Sequence, residues 1–119
     1  MSETGATQRV RLAASTAGCR LWRNNVGAGT LTNGSYIRWG LANETPAMNS
    51  RIKSADLIGI RPVRITAEHV GQVLGVFLSR EVKQPGWRYT GAGREEAQMR
   101  WVELVQSLGG DAGFTTGEF

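Results

Sequence analysis

The chain has 119 residues, 40% hydrophobic and 20% charged, which suits one modest core and predicts a single domain over residues 1–119. Fourteen Lys and Arg residues against ten Asp and Glu residues give a net charge of +4, and this basic surplus favours polyanionic partners. No apolar run approaches the roughly 20 residues of a membrane span, no secretory leader is evident, and a single cysteine excludes an internal disulfide, so we expect a cytoplasmic protein without a membrane partner.

The first elements are a helix and a strand. Residues 3–17 place apolar side chains such as Val10 and Leu12 along a helical stripe, and Gly18 is a natural stop. The segment Cys19–Asn25 then has the alternation of a strand. A helix followed by a strand is therefore predicted at the start of the chain.

The middle of the chain is punctuated by turn residues. Residues 26–50 are rich in Gly, Asn, Ser and Thr and predict a long loop, with a tight turn at Asn33-Gly34 between short extended pieces. Residues 53–60 predict a first central strand that ends at Pro62. Residues 66–70 predict a single capped helical turn.

The second half predicts a strand, a helix and a strand. Residues 73–82 form the longest strand candidate, and they are apolar on both sides, as in a strand covered on both faces. A loop over residues 84–93 precedes the clearest helix, Glu95–Leu108, and residues 112–116 predict a short final strand. This order of elements predicts an α/β layer arrangement. The apolar face of the late helix is expected to comprise Ala97, Trp101, Leu104, Val105 and Leu108.

Two of the predicted strands carry carboxylates. Residues two apart in a strand point to the same face, so Glu81 and Lys83 are expected side by side. If Asp56 projects toward the same spot from a neighbouring strand, two carboxylates and one ammonium meet at one point. Two carboxylates repel unless a cation lies between them, and Mg²⁺ prefers oxygen ligands and phosphate partners. These groups are the smallest set for metal-assisted hydrolysis of a phosphodiester.

Ordinary structural interpretations of the same residues stay open. Glu81 and Lys83 also fit a same-face ion pair at a strand end, and Asp56 fits a turn carboxylate. Gln98 taken alone is a common exposed helix former. Ser54 fits either a phosphate contact or a turn cap, and the sequence does not choose between them.

Basic and aromatic residues cluster together along the chain. Cations on phosphates provide salt-dependent affinity without sequence information, and aromatic rings in loops stack on unpaired bases. The alternative is that the tryptophans are packed and the arginines form a solvated rim. The predicted DNA-binding residues are Arg20, Arg23, Arg38, Arg51, Lys53, Ser54, Arg88 and Arg94, and the aromatic residues beside them are Trp22, Trp39 and Trp87.

Five pieces of sequence in order carry a family resemblance that covers nearly the whole chain. They are Arg11-Leu-Ala-Ala-Ser followed by Leu21-Trp-Arg-Asn-Asn-Val-Gly27; Lys53-Ser-Ala-Asp-Leu-Ile-Gly59; Phe77-x-x-x-Glu81-Val-Lys83; Gln98-x-x-Trp101; and Gly109-Gly-x-Ala-Gly113. With these pieces the chain resembles the VRR-NUC domain, a branch of the PD-(D/E)XK nuclease superfamily, in its compact stand-alone phage and prophage form. The resemblance implies a restriction-endonuclease-like core, which is a central mixed β-sheet flanked by helices.

The resemblance also implies roles for individual residues. Asp56 and Glu81 correspond to metal-binding carboxylates, and the backbone carbonyl of Val82 to a further ligand. Lys83 corresponds to the residue that orients the attacking water and stabilises negative charge. The implied cofactor is Mg²⁺, with Mn²⁺ as a substitute. Two further implied members of the site are Gln98, which reaches the same centre, and Glu3, the acidic residue of the first helix.

The function implied by the resemblance is a Mg²⁺-dependent, structure-specific DNA endonuclease. Compact members of the family are similar to Holliday-junction resolvases and act as homodimers, so the expected substrate is branched DNA in the bacterial host cell. Two alternatives stay open, a non-catalytic nucleic-acid-binding protein that keeps the nuclease fold and a nuclease for linear or nicked DNA.

Overall fold

Helices and short paired strands alternate along the chain. The computed structural model describes residues 2–119, which form three α-helices, one 3-10 turn and six strands paired in three two-stranded sheets. The chain divides into two compact units, one ending at Gly59 and one running from Ile60 to Phe119. Within residues 2–119, no helix is both long and apolar enough to cross a membrane. The protein is a mixed α/β protein, whereas the restriction-endonuclease-like core and the single domain stay predictions.

The first unit begins with helix α1, Glu3–Thr16. The hydroxyl oxygen of Ser2 accepts a hydrogen bond from the backbone nitrogen of Gly5 at 3.0 Å, which satisfies one free donor of the first turn. Past the end of the helix, Gly18 has φ +81°, a left-handed conformation that glycine adopts without strain. The predicted helix is therefore confirmed, but Val10 of the apolar stripe is exposed and no residue of α1 is buried.

Strand β1, Arg20–Arg23, pairs with strand β4, Leu57–Ile60. The backbone nitrogen of Asn24 extends this pairing by donating to the carbonyl oxygen of Asp56 at 2.8 Å. A Cβ atom on Gly59 would overlap the carbonyl oxygen of Arg20, so the two backbones approach closely at this point. The strand predicted from residue 53 begins only at Leu57, because the preceding residues lead into the sheet without pairing as a strand.

The segment predicted as a long loop contains a hairpin and a helix. Strand β2, Gly27–Thr30, pairs antiparallel with strand β3, Tyr36–Trp39, around the predicted Asn33-Gly34 turn. Helix α2, Pro46–Arg51, follows, and its first turn is capped by the side chain of Thr45. The tight turn between short extended pieces is therefore confirmed, whereas a helix was not predicted within the long loop. Six helical residues are too few to show a periodic pattern, although Thr-Pro is a helix-start signal.

The second unit is built on a parallel strand pair and one helix. Strand β5, Leu78–Val82, pairs in parallel with strand β6, Asp111–Thr115, and helix α3, Glu95–Ser107, connects them and packs on both. Val105 is fully buried and packs in this unit beside Val102 and Ala112, which are also buried. The core of the unit therefore lies between α3 and the strand pair.

Strand β5 is shorter and more exposed than the sequence predicts. Residues 73–77 are not in a strand, and the side chains of Val73 and Val82 are 97% and 68% exposed. The expectation of a strand covered on both faces is therefore wrong for this unit. The capped turn at residues 66–70 is confirmed as the 3-10 turn Ala67–His69.

Helix α3 occupies the predicted position but presents a rotated face. Val105 of the predicted apolar face is buried as expected, and Val102 is buried as well, whereas Ala97 and Trp101 of that face are exposed. The indole nitrogen of Trp101 donates to the hydroxyl of Ser79 at 2.9 Å, so its ring lies at the margin of the strand pair. The rotation places the polar first turn of α3, which contains Gln98, over the end of β5.

Candidate functional site

A polar cluster of Glu81, Lys83 and Gln98, here called the β5–α3 cluster, lies at the end of β5. The amide nitrogen of Gln98 donates to Glu81 Oε1 at 2.9 Å, and Lys83 Nζ donates to Gln98 Oε1 at 2.8 Å. Lys83 Nζ also lies 3.8 Å from Glu81 Oε1. One glutamine amide therefore bridges a carboxylate and an ammonium, and the three side chains that the resemblance grouped are together in this unit.

The cluster is partly shielded from water. The side chain of Lys83 is 19% exposed and that of Glu81 is 40% exposed, so the carboxylate remains accessible to an ion while the ammonium is more enclosed. Lys83 Nζ lies 5.6 Å from the ring centroid of Trp87 and 6.0 Å from that of Phe114. Aromatic faces attract a cation at this range, which adds to the attraction between Glu81 and the ammonium group.

The loop that carries Trp87, residues 84–94, is here called the Trp87 loop. The indole ring of Trp87 stacks on Phe114, with centroids 4.9 Å apart and planes at 29°. Glu95, the first residue of α3, holds this loop: its Oε2 accepts from the Trp87 indole nitrogen at 3.1 Å, and its Oε1 accepts from the backbone nitrogens of Thr90 and Gly91 at 2.8 and 3.2 Å. One carboxylate therefore closes the loop and orients the ring beside Lys83.

These bonds lower the pKa of Glu95 below its ordinary value of 4.5, chiefly through the backbone hydrogen bond from Thr90 and then through that from the Trp87 indole. Because the folded-state pKa lies below the unfolded-state value, the stabilisation is fully present above the unfolded pKa and is lost as pH falls through the folded pKa. We expect acid to release the Trp87 indole with a midpoint below pH 4.5.

The measurement is an NMR titration of the Trp87 indole N–H signal. The indole signals of Trp22, Trp39 and Trp101 serve as internal controls, because global unfolding moves all four together. A midpoint for Trp87 at or above the ordinary glutamate value would contradict the assignment of Glu95 as its hydrogen-bond acceptor.

The first unit contains a polar cleft of about 490 Å³ between α1, the end of β1 and the start of β4. Glu3 and Asp56 both line it, so the structure brings the two predicted acidic residues of this unit to one cleft. Asp56 is exposed, and its backbone carbonyl accepts the bond from Asn24 described above. The other lining residues are Thr4, Thr7, Gln8, Arg11, Arg23, Asn24, Asn25, Val26 and Ser54.

The predicted ligand atoms are oxygens, which are the atoms that a hard divalent cation prefers. Mg²⁺ binds carboxylate and carbonyl oxygens, which Glu81, the Val82 carbonyl, Asp56 and Glu3 supply. Asp56 and Glu3 belong to the first unit, and the β5–α3 cluster belongs to the second. Among residues 2–119, no group of three or more His, Cys, Asp and Glu side chains is placed to hold a metal ion.

Three of the predicted DNA-binding residues have partners within the first unit. Arg38 Nε donates to the carbonyl oxygen of Asn43 at 2.8 Å, and the Arg38 guanidinium also donates to Asn43 Oδ1 at 2.6 Å. The hydroxyl of Ser54 donates to the carbonyl oxygen of Leu41 at 2.7 Å, and Lys53 Nζ donates to Asn49 Oδ1. These contacts favour structural roles for Arg38 and Ser54 over phosphate contacts.

The hydrogen bonds of the buried Asn43 explain why the side chain of Arg38 is fixed. The side chain of Asn43 is buried, with 2% of the residue exposed, and its amide nitrogen donates to the carbonyl oxygens of Gly27 and Trp39 at 2.7 and 2.8 Å. A buried amide needs all of its partners, and Arg38 supplies one of them. The predicted cations that are exposed on the surface are Arg20, Arg23, Arg51, Lys53, Arg88 and Arg94.

Two residues of these constellations, Arg11 and Glu95, were not predicted as site residues from the sequence. Arg11 follows Gln8 by three residues and so shares its helix face, a spacing that predicts its place in the cleft. Glu95 begins α3, and a carboxylate in the first turn of a helix is a known signal of capping and loop contacts. Its partner Trp87 had no local signal, because the contact crosses a loop.

Comparison of the chain with protein-family models, with curated proteins and with solved structures found no match. A function is therefore inferred from the side-chain chemistry of the two constellations and from the motif resemblance. The β5–α3 cluster presents an accessible carboxylate beside an enclosed ammonium, an arrangement able to hold a cation and to stabilise an anion next to it.

Proposed function

We propose that this protein is a Mg²⁺-dependent DNA endonuclease of the VRR-NUC type, with a restriction-endonuclease-like core. The observation that carries the proposal is the β5–α3 cluster, in which Gln98 bonds both Glu81 and Lys83. An ordinary ion pair on a strand needs no bridging amide, whereas a site that must hold two opposite charges at a set spacing benefits from one. The motif order described above supports the same family.

The residues of the cluster have separate tasks in the proposed reaction. Glu81 and the Val82 carbonyl are the proposed Mg²⁺ ligands, and Mn²⁺ is a proposed substitute. When bound, the ion lowers the pKa of a water molecule and neutralises charge on the phosphate. The Lys83 ammonium donates hydrogen bonds to the attacking water and to the developing oxyanion. Gln98 keeps the carboxylate and the ammonium at their observed spacing.

Asp56 is the proposed carboxylate ligand from the first unit, with Glu3 as a further one. The resemblance supports these two assignments, and so does the cleft that both residues line. The cleft also contains Arg23, whose guanidinium group matches phosphate oxygens, and Arg11, whose Nε donates to the carbonyl oxygen of Leu21 at 3.2 Å.

The proposed substrate is branched DNA, and the proposed assembly is a homodimer. A two-fold protein places two sites on two strands related by the same symmetry, which suits a four-way junction. The net charge of +4 and the exposed arginines support a polyanionic partner. The proposed setting is the cytoplasm of the bacterial host during phage recombination or packaging.

The proposal is tested by assaying purified protein with Mg²⁺ on four-way junctions and on linear duplex. We expect the wild type to cut the junction, and Lys83→Ala and Asp56→Asn to lose about 10²- to 10³-fold in rate, because the first removes a cation that stabilises the developing oxyanion and the second removes a proposed metal ligand. Arg61→Ala is the control, since Arg61 is an exposed basic residue outside the predicted DNA-binding set.

The same assay separates the alternatives. Equal cutting by the wild type and both site variants refutes the assigned site. Metal-independent binding of DNA without cutting favours the non-catalytic binding protein, and equal rates on both substrates favour a nuclease for linear DNA.

A further inference from the structure

The first turn of α3 carries two polar residues with different partners. Glu95 and Gln98 are three residues apart, so they lie on the same side of the helix. Gln98 contacts Glu81 and Lys83, whereas Glu95 contacts the Trp87 loop. Gln98 contacts Lys83 directly through its side-chain amide, and Glu95 reaches Lys83 through the aromatic ring of Trp87.

The path from Glu95 to Lys83 has two steps. The carboxylate of Glu95 accepts the indole N–H of Trp87 at 3.1 Å, which sets the rotation of the ring in its plane. The face of the same ring stacks on Phe114, and Lys83 Nζ lies within 6.0 Å of both ring centroids. The ring therefore has its edge bound by a carboxylate and its face beside an ammonium.

The rings of Trp87 and Phe114 restrict the side chain of Lys83, which is long and flexible. A lysine side chain loses considerable rotamer freedom when it is ordered, and one hydrogen bond to Gln98 restrains only its tip. Two aromatic faces exclude water on one side and attract the ammonium to a defined region. If the ring of Trp87 turned away, Lys83 would sample more positions around Gln98.

We propose that Glu95 is a positioning residue of the candidate active site, which acts through Trp87 to hold the Lys83 ammonium in place. The inference deepens the proposed function and rests on it for its catalytic meaning. The hydrogen bonds of Glu95 go to Trp87, Thr90 and Gly91, so its proposed effect on Lys83 passes through the Trp87 ring.

A carboxylate that only closed the Trp87 loop would need hydrogen bonds to the loop backbone alone. The bonds of Glu95 to the backbone of Thr90 and Gly91 already tie residues 84–94 to α3. The additional bond to the Trp87 indole involves the second carboxylate oxygen and fixes a side chain, and that side chain is the one that contacts Lys83. The same carboxylate therefore closes the Trp87 loop and fixes the ring that contacts Lys83.

The test uses the two lysines of the chain, Lys53 and Lys83, in protein with lysine labelled for NMR. Protons over an aromatic face are shifted upfield, so the ε-methylene of Lys83 is expected upfield of that of Lys53, which is exposed. In Glu95→Gln we expect this upfield shift to be lost while the Lys53 signal stays unchanged. A glutamine amide presents donor hydrogens where the carboxylate accepted, so it cannot bond the backbone donors and the indole N–H together.

Two further variants keep the test decisive. Trp87→Phe retains an aromatic ring but lacks the indole N–H, and it is expected to reduce the Lys83 shift even if Glu95→Gln does not fold. Glu96→Gln is the matched control, because Glu96 is exposed and pairs with Arg100 at 2.9 Å instead of with the loop. It is expected to leave both lysine signals unchanged.

On a cleaved substrate, Glu95→Gln is expected to lower kcat by about tenfold, with KM and the Mg²⁺ requirement unchanged, because only the placement of Lys83 is affected. A Lys83 signal that is unaltered in Glu95→Gln and in Trp87→Phe overturns the inference, whatever the activity. A protein that shows the predicted Lys83 shifts but cuts no DNA instead refutes the proposed function and removes the catalytic meaning of the contact.

Discussion

Under the proposed function, Glu81→Gln is expected to lower the rate of Mg²⁺-dependent DNA cleavage by about three orders of magnitude, because metal-ion catalysis supplies several kcal/mol and each 1.36 kcal/mol is tenfold in rate. The substitution is nearly isosteric. The new amide oxygen still accepts from Gln98, which donates to Glu81 Oε1 at 2.9 Å in the wild type. The change therefore removes the negative charge and leaves the bridge to α3 in place.

The measurement is single-turnover cleavage of a four-way junction as a function of Mg²⁺ concentration. The half-saturating Mg²⁺ concentration should rise together with the loss of rate, because a neutral amide binds the ion poorly. Glu103→Gln is the control, since Glu103 is exposed on the same helix that carries Gln98. Wild-type cleavage and Mg²⁺ dependence in Glu81→Gln would show that this carboxylate is a structural ion-pair partner of Lys83.

Gly59→Ala is expected to destabilise the first unit by about 3 kcal/mol, the upper range for forcing extra atoms into a packed site. A Cβ atom at this position would overlap the carbonyl oxygen of Arg20 and approach the backbone of Leu21 at 2.9 Å. The backbone cannot yield as a flexible side chain can, so the pairing of β1 with β4 must open. A loss of this size is a large part of the stability of an ordinary small domain.

Urea unfolding measures this effect as a lower midpoint. Gly113→Ala is the matched control, because Gly113 also lies in a strand, β6, and an added Cβ there meets no atom within 4 Å. We expect Gly113→Ala to be close to neutral. Equal midpoints for Gly59→Ala and the wild type would contradict the close approach of the two strands.

The polar cleft that Glu3 and Asp56 line adjoins the paired strands β1 and β4. Asp56 precedes β4, and its carbonyl accepts from Asn24, which follows β1. A Gly59→Ala protein that remains folded is therefore expected to lose this bond and to change the lining of the cleft. The effect on stability and the effect on any activity of Asp56 are separated by comparing cleavage at a temperature at which both proteins are folded.

Part of the candidate site follows from the sequence and part does not. Strand periodicity alone places Glu81 and Lys83 on one face, and the structure agrees. The contact of Gln98 with both came from the motif resemblance, because helix periodicity does not say which strand a helix face meets. Glu95 and Trp87 were not connected in advance, since their contact depends on the path of a loop with three glycines and a proline.

By itself, the sequence determined the features that depend on neighbouring residues. These are helix α1 with its Gly18 stop, the Asn33-Gly34 turn, and the extent of α3 to within one residue, all of which are confirmed. Local hydrogen bonds, turn geometry and apolar periodicity are complete within a few residues, so they can be read from one stretch of chain.

Only the tertiary structure decided the features that depend on distant partners. It set the true lengths of β4 and β5, the rotation of α3 about its axis, and the engagement of the Ser54 hydroxyl by the carbonyl oxygen of Leu41. A strand exists where its backbone groups are paired, and a polar side chain is occupied where a partner reaches it. Both conditions are met by residues far along the chain, and that is why the apolar runs alone overstated the strands.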